Sequence, residues 1–261
     1  TRVRSSAASD VYKRQDRGTA ALLWDGVSGE LLSIMAYTFS TLRTGATVGL
    51  AARCFARVDA HTAAMLGTGR NALSLLQALC HVRPIEQVRV YSRDAGHRTE
   101  FAQRARAALG RPVEAAASTA AATHGADIVC VATSSLEPVV SAGQLSPGTF
   151  VATMGRPSEI DASVYLAAGR IVVGSKQHEE EYFDLKNYPH QLLNLAKAGK
   201  LDWNSGVHEM CDVVAGGVPA RISDREIIVF KESQGGFGDV AFCAHVYAQA
   251  RKRGIGQEFA L

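Results

Sequence analysis

Nothing in this chain of 261 residues approaches the roughly 18 consecutive apolar residues that a membrane-spanning helix needs, so no association with a membrane is expected. A charge surplus is lacking as well. The 28 Lys+Arg stand against 25 Asp+Glu, a formal +3 at pH 7, and the basic residues are scattered, which disfavours nucleic acid as a partner. Paired cysteines are missing. Cys54, Cys80, Cys130, Cys211 and Cys243 are odd in number, widely spaced and never C-x-x-C, a usage that fits a reducing cytoplasm. Cys54, Cys80 and Cys130 lie in apolar runs and read as small buried hydrophobes. No metal site is expected, since the nearest approach to ligand spacing, His208 with Cys211, has no third ligand nearby.

What is present is the composition of a globular protein, 47% hydrophobic with a mean hydropathy near zero. The length suits one large α/β domain or two modest ones. Residues 1–15 are polar and basic, carry no apolar signal-peptide core and do not begin with Met. The run Asp10-Val11-Tyr12-Lys13-Arg14-Gln15 resembles adapter-derived sequence, so residues 1–15 are expected to be a non-native segment.

From Thr19 to Met35 the pattern is apolar, turn, apolar, and predicts a β-hairpin around Asp25-Gly26-Val27-Ser28-Gly29. Thr44 to Ala51 predicts a helix whose small residues let another backbone approach closely. The middle then alternates as βαβ units. Strands are expected at Thr62–Leu66, Gln87–Tyr91, Val113–Ala116, Asp127–Ala132, Thr149–Met154 and Arg170–Val173, with helices at Arg70–His81 and Ala95–Leu109. Parallel strands separated by helices predict an α/β fold, a doubly wound Rossmann sheet with helices on both faces. Beyond Ser175 the expectations are a solvated helix face at Glu179-Glu180-Glu181 and an amphipathic piece at Gln191–Ala198. A helix near Val207–Ala215, a strand at Glu226–Phe230 and a last helix near Asp239–Arg253 complete the pattern.

The sharpest motif is Gly67-Thr68-Gly69-Arg70-Asn71-Ala72, a G-x-G-x-x-A that comes directly after a strand and opens a helix. Gly67 permits the tight turn, Gly69 lets the backbone approach a pyrophosphate, and Ala72 allows close helix–strand packing. The helix N-terminus offers its amides and a partial positive charge to phosphates. Where a cofactor with a free 2′-hydroxyl wants a carboxylate after the second strand, the chain has Ser92-Arg93, which favours NADP over NAD. The fourth strand leads into Thr133 and Ser134 and the fifth ends at Met154-Gly155, all placed by the carboxyl-end rule beside the nicotinamide ribose.

The ordered set of motifs resembles the ornithine cyclodeaminase/mu-crystallin family. It comprises Leu42-Arg43-Thr44-Gly45-Ala46, Gly67-Thr68-Gly69, Gly125-Ala126-Asp127-Ile128-Val129 leading to Thr133, and Pro147-Gly148. It continues with Gly216, Pro219 and Arg221, and with Val229-Phe230-Lys231 and then Asp239, so that it spans Gly18 to Gly256. The resemblance implies an NAD(P)-dependent oxidoreductase of amino-acid metabolism, moving hydride at Cα of a small α-imino or α-amino acid. The alternatives it leaves open are a cyclodeaminase that eliminates ammonia from ornithine or a related diamino acid, and a non-catalytic NADP-dependent binding protein. It also implies a homodimer, and a substrate and dimerisation domain of α+β type built from both chain ends. On that reading residues 16–55 are a remnant of this domain, 56–236 the Rossmann domain, and 237–261 a helix returning to the first.

Carried over residue by residue, Arg43, with Thr44 beside it, meets the cofactor pyrophosphate, and Arg70 and Asn71 contact the phosphates. Ser92 reads the ribose, Thr133 holds the nicotinamide side, and Glu232-Ser233 match a Ser-Val pair beside nicotinamide and substrate. Two departures stand out. The cyclodeaminase aspartate is missing, because Gly155 is succeeded by Arg156-Pro157-Ser158; Glu159 and Asp161 are the candidate catalytic carboxylates that could swing in for it, though Asp161 is rather expected to cap the next helix. The family's substrate-carboxylate arginine and catalytic lysine lie upstream of the segment matching Gly18–Met35, so an N-terminally truncated chain is expected and its catalytic residues are unknown.

Overall fold

The computed structural model describes residues 20–36, 40–182, 190–233 and 236–258. In chain order these form β1 (Ala20–Trp24), β2 (Leu31–Ala36), α1 (Ser40–Phe55), β3 (Thr62–Leu66), α2 (Ala72–Val82), β4 (Gln87–Tyr91), α3 (Ala95–Leu109) and β5 (Val113–Ala115). They continue with α4 (Thr119–Thr123), β6 (Ile128–Val131), β7 (Phe150–Thr153), α5 (Ala162–Ala167), β8 (Arg170–Val173), α6 (Lys176–Tyr182) and α7 (Gln191–Lys197). Last come β9 (Val207–Glu209), α8 (Met210–Val214), β10 (Ile228–Lys231) and α9 (Gly236–Arg253). No helix among the described residues is long and apolar enough to cross a membrane.

Two compact units divide inside α1, between Arg43 and Thr44. The larger holds an eight-stranded sheet in the order β5-β4-β3-β6-β7-β10-β8-β9, every pairing parallel. The period-two alternation of its strands explains why both faces are covered. Ala63, Met65, Ile128, Cys130, Phe150, Ala152 and Phe230 enter one apolar cluster with residues of α1, α2, α3 and α8. Their strand neighbours Ala64, Leu66, Val129, Val131, Val151 and Val229 enter a second cluster with residues of α4, α5 and α7. This is the doubly wound Rossmann arrangement that the βαβ alternation predicts.

Small residues let α1 lie close on α2. A Cβ added at Gly45 would sit 2.7 Å from the carbonyl oxygen of Ser74, and one at Gly49 would sit 3.0 Å from Cβ of Ala78. Phe55, at the end of α1, packs its ring 5.9 Å from Phe150 and 6.4 Å from Phe230.

At the amino end of the sheet, polar residues of two motifs stitch loops together. Asp127 accepts the amides of His61 and Thr62 at 2.9 Å each and the Arg57 guanidinium at 2.6 Å. Burial pushes its carboxyl up, but these amides, the His61 ring and Arg57 hold it below the usual carboxylate range. Arg221 donates to the carbonyls of Phe55 at 2.8 Å, at the end of α1, and Gly148 at 3.1 Å.

Two expectations fail here. Val207–Glu209 pairs in parallel with Ile171–Val173 as the edge strand β9, and the helix expected over that stretch is only Met210–Val214. The acidic run does not lie wholly in solvent, because Glu179 turns inward from α6 and is fully buried. His190 meets it at 2.8 Å and Lys231, itself buried, lies 3.9 Å away. Burial raises the Glu179 carboxyl; Lys231 and His190 more than offset that and hold it low.

In the smaller unit, β1 and β2 pair antiparallel as the expected hairpin. Asp25 accepts the amides of Val27 and Ser28 in the turn, and Gly29 closes it at φ 74°. The hairpin buries little, with Leu23 its one residue in the core. Helix α9 lies against β1.

Candidate dinucleotide-binding site

The strand order decides where a ligand can sit. The chain leaves β3 outward through β4 to β5, then returns to β6 on the other side of β3. Crossovers diverge there, which opens a crevice at the carboxyl ends of β3 and β6. The motif Gly67-Thr68-Gly69 begins at that point. Gly67 holds φ 102°, and a Cβ on it would run into the carbonyl of Ala132 and the side chain of Thr133. No other residue fits there. Its amide donates to Tyr91 O at 2.8 Å, which ties the loop to the end of β4.

Gly69 is the opposite case. It is exposed, and a Cβ on it would meet nothing within 4 Å, so the backbone is bare on that side. Helix α2 starts just beyond it. Asn71, at the N-cap, makes no side-chain cap, and the first amide of α2, that of Ala72, turns back to Gly69 O at 3.1 Å. Arg70 is exposed alongside. A bare glycine backbone, a helix N-terminus without a side-chain cap and a guanidinium together fit a pyrophosphate.

The turn after β4 supplies the next group. Ser92 is partly buried, and Arg93 is exposed. Arg98 braces this turn, donating to Ser92 O at 2.9 Å while lying over the Tyr91 ring at 5.3 Å. The nearest carboxylate, Asp94, caps α3 by accepting the His97 amide at 2.6 Å. His97 also approaches the glycine loop, its Nδ1 3.0 Å from Thr68 Oγ1. That contact joins the turn after β3 to the turn after β4, and no spacing in the sequence signals it.

The ends of β6 and β7 lie side by side, paired from Ile128–Phe150 to Val131–Thr153. Thr133 is partly buried, Ser134 exposed and Met154 buried. Arg156 donates to Ser134 O at 3.1 Å. Gly155 has no room for a side chain, because a Cβ would strike Glu159 and the Thr133 carbonyl. Glu159 is fully buried beneath these two turns. Burial pushes its carboxyl above the usual range, against hydrogen bonds from Thr153, Thr133 and Gly155 and the charge of Lys231. Asp161 accepts the Ser163 amide at 2.8 Å and caps α5, as its position before Ala162 predicts.

The remaining expected residues are more dispersed. Ser233, just past β10, is buried, and its hydroxyl accepts the Ser175 amide at 3.0 Å. Glu232 is buried too, its amide bound to Thr153 O at 2.8 Å. Thr44 is buried on α1. Arg43 belongs to the smaller unit, in a two-pronged pair with Asp239 at 2.7 and 3.3 Å. Among the described residues, one trio of possible ligands, Glu209, Cys211 and Asp212, falls within 4.8 Å. Glu209 already accepts the Lys176 amide at 2.7 Å and the other two are exposed. The sequence reading missed the bracing by Arg98, the His97 contact and the burial of Glu159, all of which depend on tertiary neighbours.

Comparison with known proteins gives a consistent result. The model of the ornithine cyclodeaminase/mu-crystallin family matches residues 6–254. A Delta(1)-pyrroline-2-carboxylate reductase of Bacillus cereus is 32% identical over 243 residues, which cover 90% of this chain and 72% of that protein. Among solved structures, Delta(1)-pyrroline-2-carboxylate reductase of Thermococcus litoralis, in complex with NADH and L-proline, is 31% identical with a TM-score of 0.81, over 91% of this chain and 73% of that one. An archaeal alanine dehydrogenase dimer with bound NAD is 26% identical with a TM-score of 0.79, over 94% and 74%.

Proposed function

Since the chain belongs to the ornithine cyclodeaminase/mu-crystallin family, we propose that it is an NAD(P)-dependent oxidoreductase that moves hydride at Cα of an α-imino or α-amino acid. The substrate class we favour is a small cyclic imino acid of the pyrroline-2-carboxylate kind, on the strength of the reductases it resembles. The observation that carries the reading is the glycine turn at the switch point, with Gly67 packed against Ala132 and Gly69 bare toward open space. An ammonia-eliminating reaction is disfavoured, because Arg156 comes after Gly155 where the family resemblance leads one to expect the aspartate of a cyclodeaminase.

In this reading the amides opening α2, with Arg70 and Asn71, hold the pyrophosphate, and the family resemblance assigns Arg43, next to Thr44, to the same group. Thr133, Ser134, Met154, Gly155 and Ser233 flank the nicotinamide side. When bound, the nicotinamide supplies or accepts the hydride. The chain's part is to hold that ring and the substrate Cα in register and to keep water out.

The finer proposal is a preference for NADP. Ser92 and Arg93 offer a hydroxyl and a guanidinium to a 2′-phosphate, and Asp94 is turned to the His97 amide at the start of α3. Fluorescence titration of the full chain with NADPH and NADH tests both levels. NADPH is expected to bind more tightly, and Arg93→Ala to weaken NADPH about tenfold while leaving NADH nearly unchanged. Tighter NADH binding by the wild type would remove the NADP preference; binding of neither would overturn the enzyme reading itself. We further propose a homodimer, which sedimentation of the full-length protein would test.

A further inference from the structure

Glu159 stands out because its side chain is buried, ionisable and joined to both turns that lie beyond β6 and β7. Its Oε2 accepts the Thr133 amide at 2.8 Å and the Thr133 hydroxyl at 3.0 Å. Its Oε1 accepts the Thr153 hydroxyl at 2.5 Å and the Gly155 amide at 2.6 Å. The Thr133 hydroxyl in turn accepts the Ser135 amide at 3.2 Å, so its proton points to Glu159. The backbone of Glu159 is itself anchored, its amide donating to Arg156 O at 3.0 Å and its carbonyl accepting the Val139 amide at 2.9 Å. One rigidly held carboxyl therefore sets the separation and orientation of two neighbouring turns.

We propose that Glu159 is the positioning residue of the nicotinamide half of the cofactor site, fixing Thr133 and Gly155 through both oxygens of its carboxyl. The proposal rests on the dinucleotide reading above, which places Thr133 and Gly155 beside the nicotinamide. It does not make Glu159 a catalytic residue, since the group lies beneath the turns with no exposed surface. The chemistry explains why the residue is an acid. Each oxygen faces one backbone N–H, and a backbone amide cannot reverse its polarity. Glutamine has the same shape but one accepting end. Whichever way its amide turns, an NH2 meets the N–H of Thr133 or of Gly155, and one turn must move. Aspartate keeps the carboxyl group but is one methylene too short to reach both.

The test is a pair of titrations on the full chain, with NADPH and with 2′-phospho-ADP-ribose, which has the same phosphates but no nicotinamide; NADH and ADP-ribose replace them if the wild type prefers NADH. Glu159→Gln is expected to weaken the dinucleotide about tenfold and leave the fragment unchanged to within about twofold. Equal weakening of both ligands, or of neither, would overturn the assignment, because a merely structural acid acts on the whole site alike. Failure of the wild type to bind either ligand is a different result and overturns the dinucleotide reading on which the proposal stands. If circular dichroism shows that Glu159→Gln does not fold, the isosteric Thr153→Val takes one donor from Oε1 and spares both amides. The same selectivity, at about two- to fivefold, is then expected, and its absence overturns the proposal.

Discussion

At the residue scale, Asp127 shows how a motif can serve the fold rather than the chemistry. It belongs to the Gly125-Ala126-Asp127 run that marks the family resemblance, yet it lies at the amino end of the sheet, opposite the glycine turn. Its pKa is depressed in the folded chain, so its stabilising effect is present above the unfolded carboxylate value and is lost as pH falls through the folded one. Asp127→Asn is therefore expected to cost about 1–3 kcal/mol near neutrality. Urea midpoints of the two proteins should begin to converge as pH falls below about 4 and meet only below the depressed folded-state value. At this scale the sequence was readable where a rule is local: Asp161 caps a helix because it directly precedes the helix-forming run from Ala162. Glu179 was not readable, since a carboxylate in an acidic run looks solvated until His190, at the start of the next helix, and Lys231, from a distant strand, close over it.

At the scale of elements, regularity decided what could be seen. Alternating apolar residues bounded by Gly67 on one side and by Asp94 or Gly110 on another give β3, β4 and α3 with limits that the structure repeats. Thr44 to Ala51 predicted a helix that another backbone could approach, and α1 meets α2 through Gly45. Because the atom in the way is the carbonyl of Ser74, which cannot turn aside, Gly45→Ala is expected to destabilise the protein by about 1–3 kcal/mol. Chemical denaturation would measure it, and the effect should exceed that of Ala at the open Gly143, which has nothing within 4 Å. Strand β9 escaped notice because three residues are too few to show a period. The strand expected at Glu226–Phe230 was legible as β10, but its seat between β7 and β8 was not, for adjacency in a sheet is not written in local pattern.

At the scale of the whole molecule, stability is unevenly shared. Strands β6, β7 and β10 are buried at every residue, whereas the two-stranded sheet of β1 and β2 leaves Leu22, Trp24 and Ile34 about half exposed or more. Hydrogen exchange measured by mass spectrometry is expected to show the slowest amides in β3, β6, β7 and β10 and the fastest strand amides in β1 and β2. Protection in the hairpin equal to that of the sheet would count against this. The place of β10 has one more consequence, during biosynthesis. As β7 and β8 leave the ribosome they are not native partners of each other, and the strand that joins them is still to be made. Until residues 228–231 emerge, the nascent chain carries two open parallel edges, and that interval is when it is most exposed to wrong partners and most in need of a chaperone.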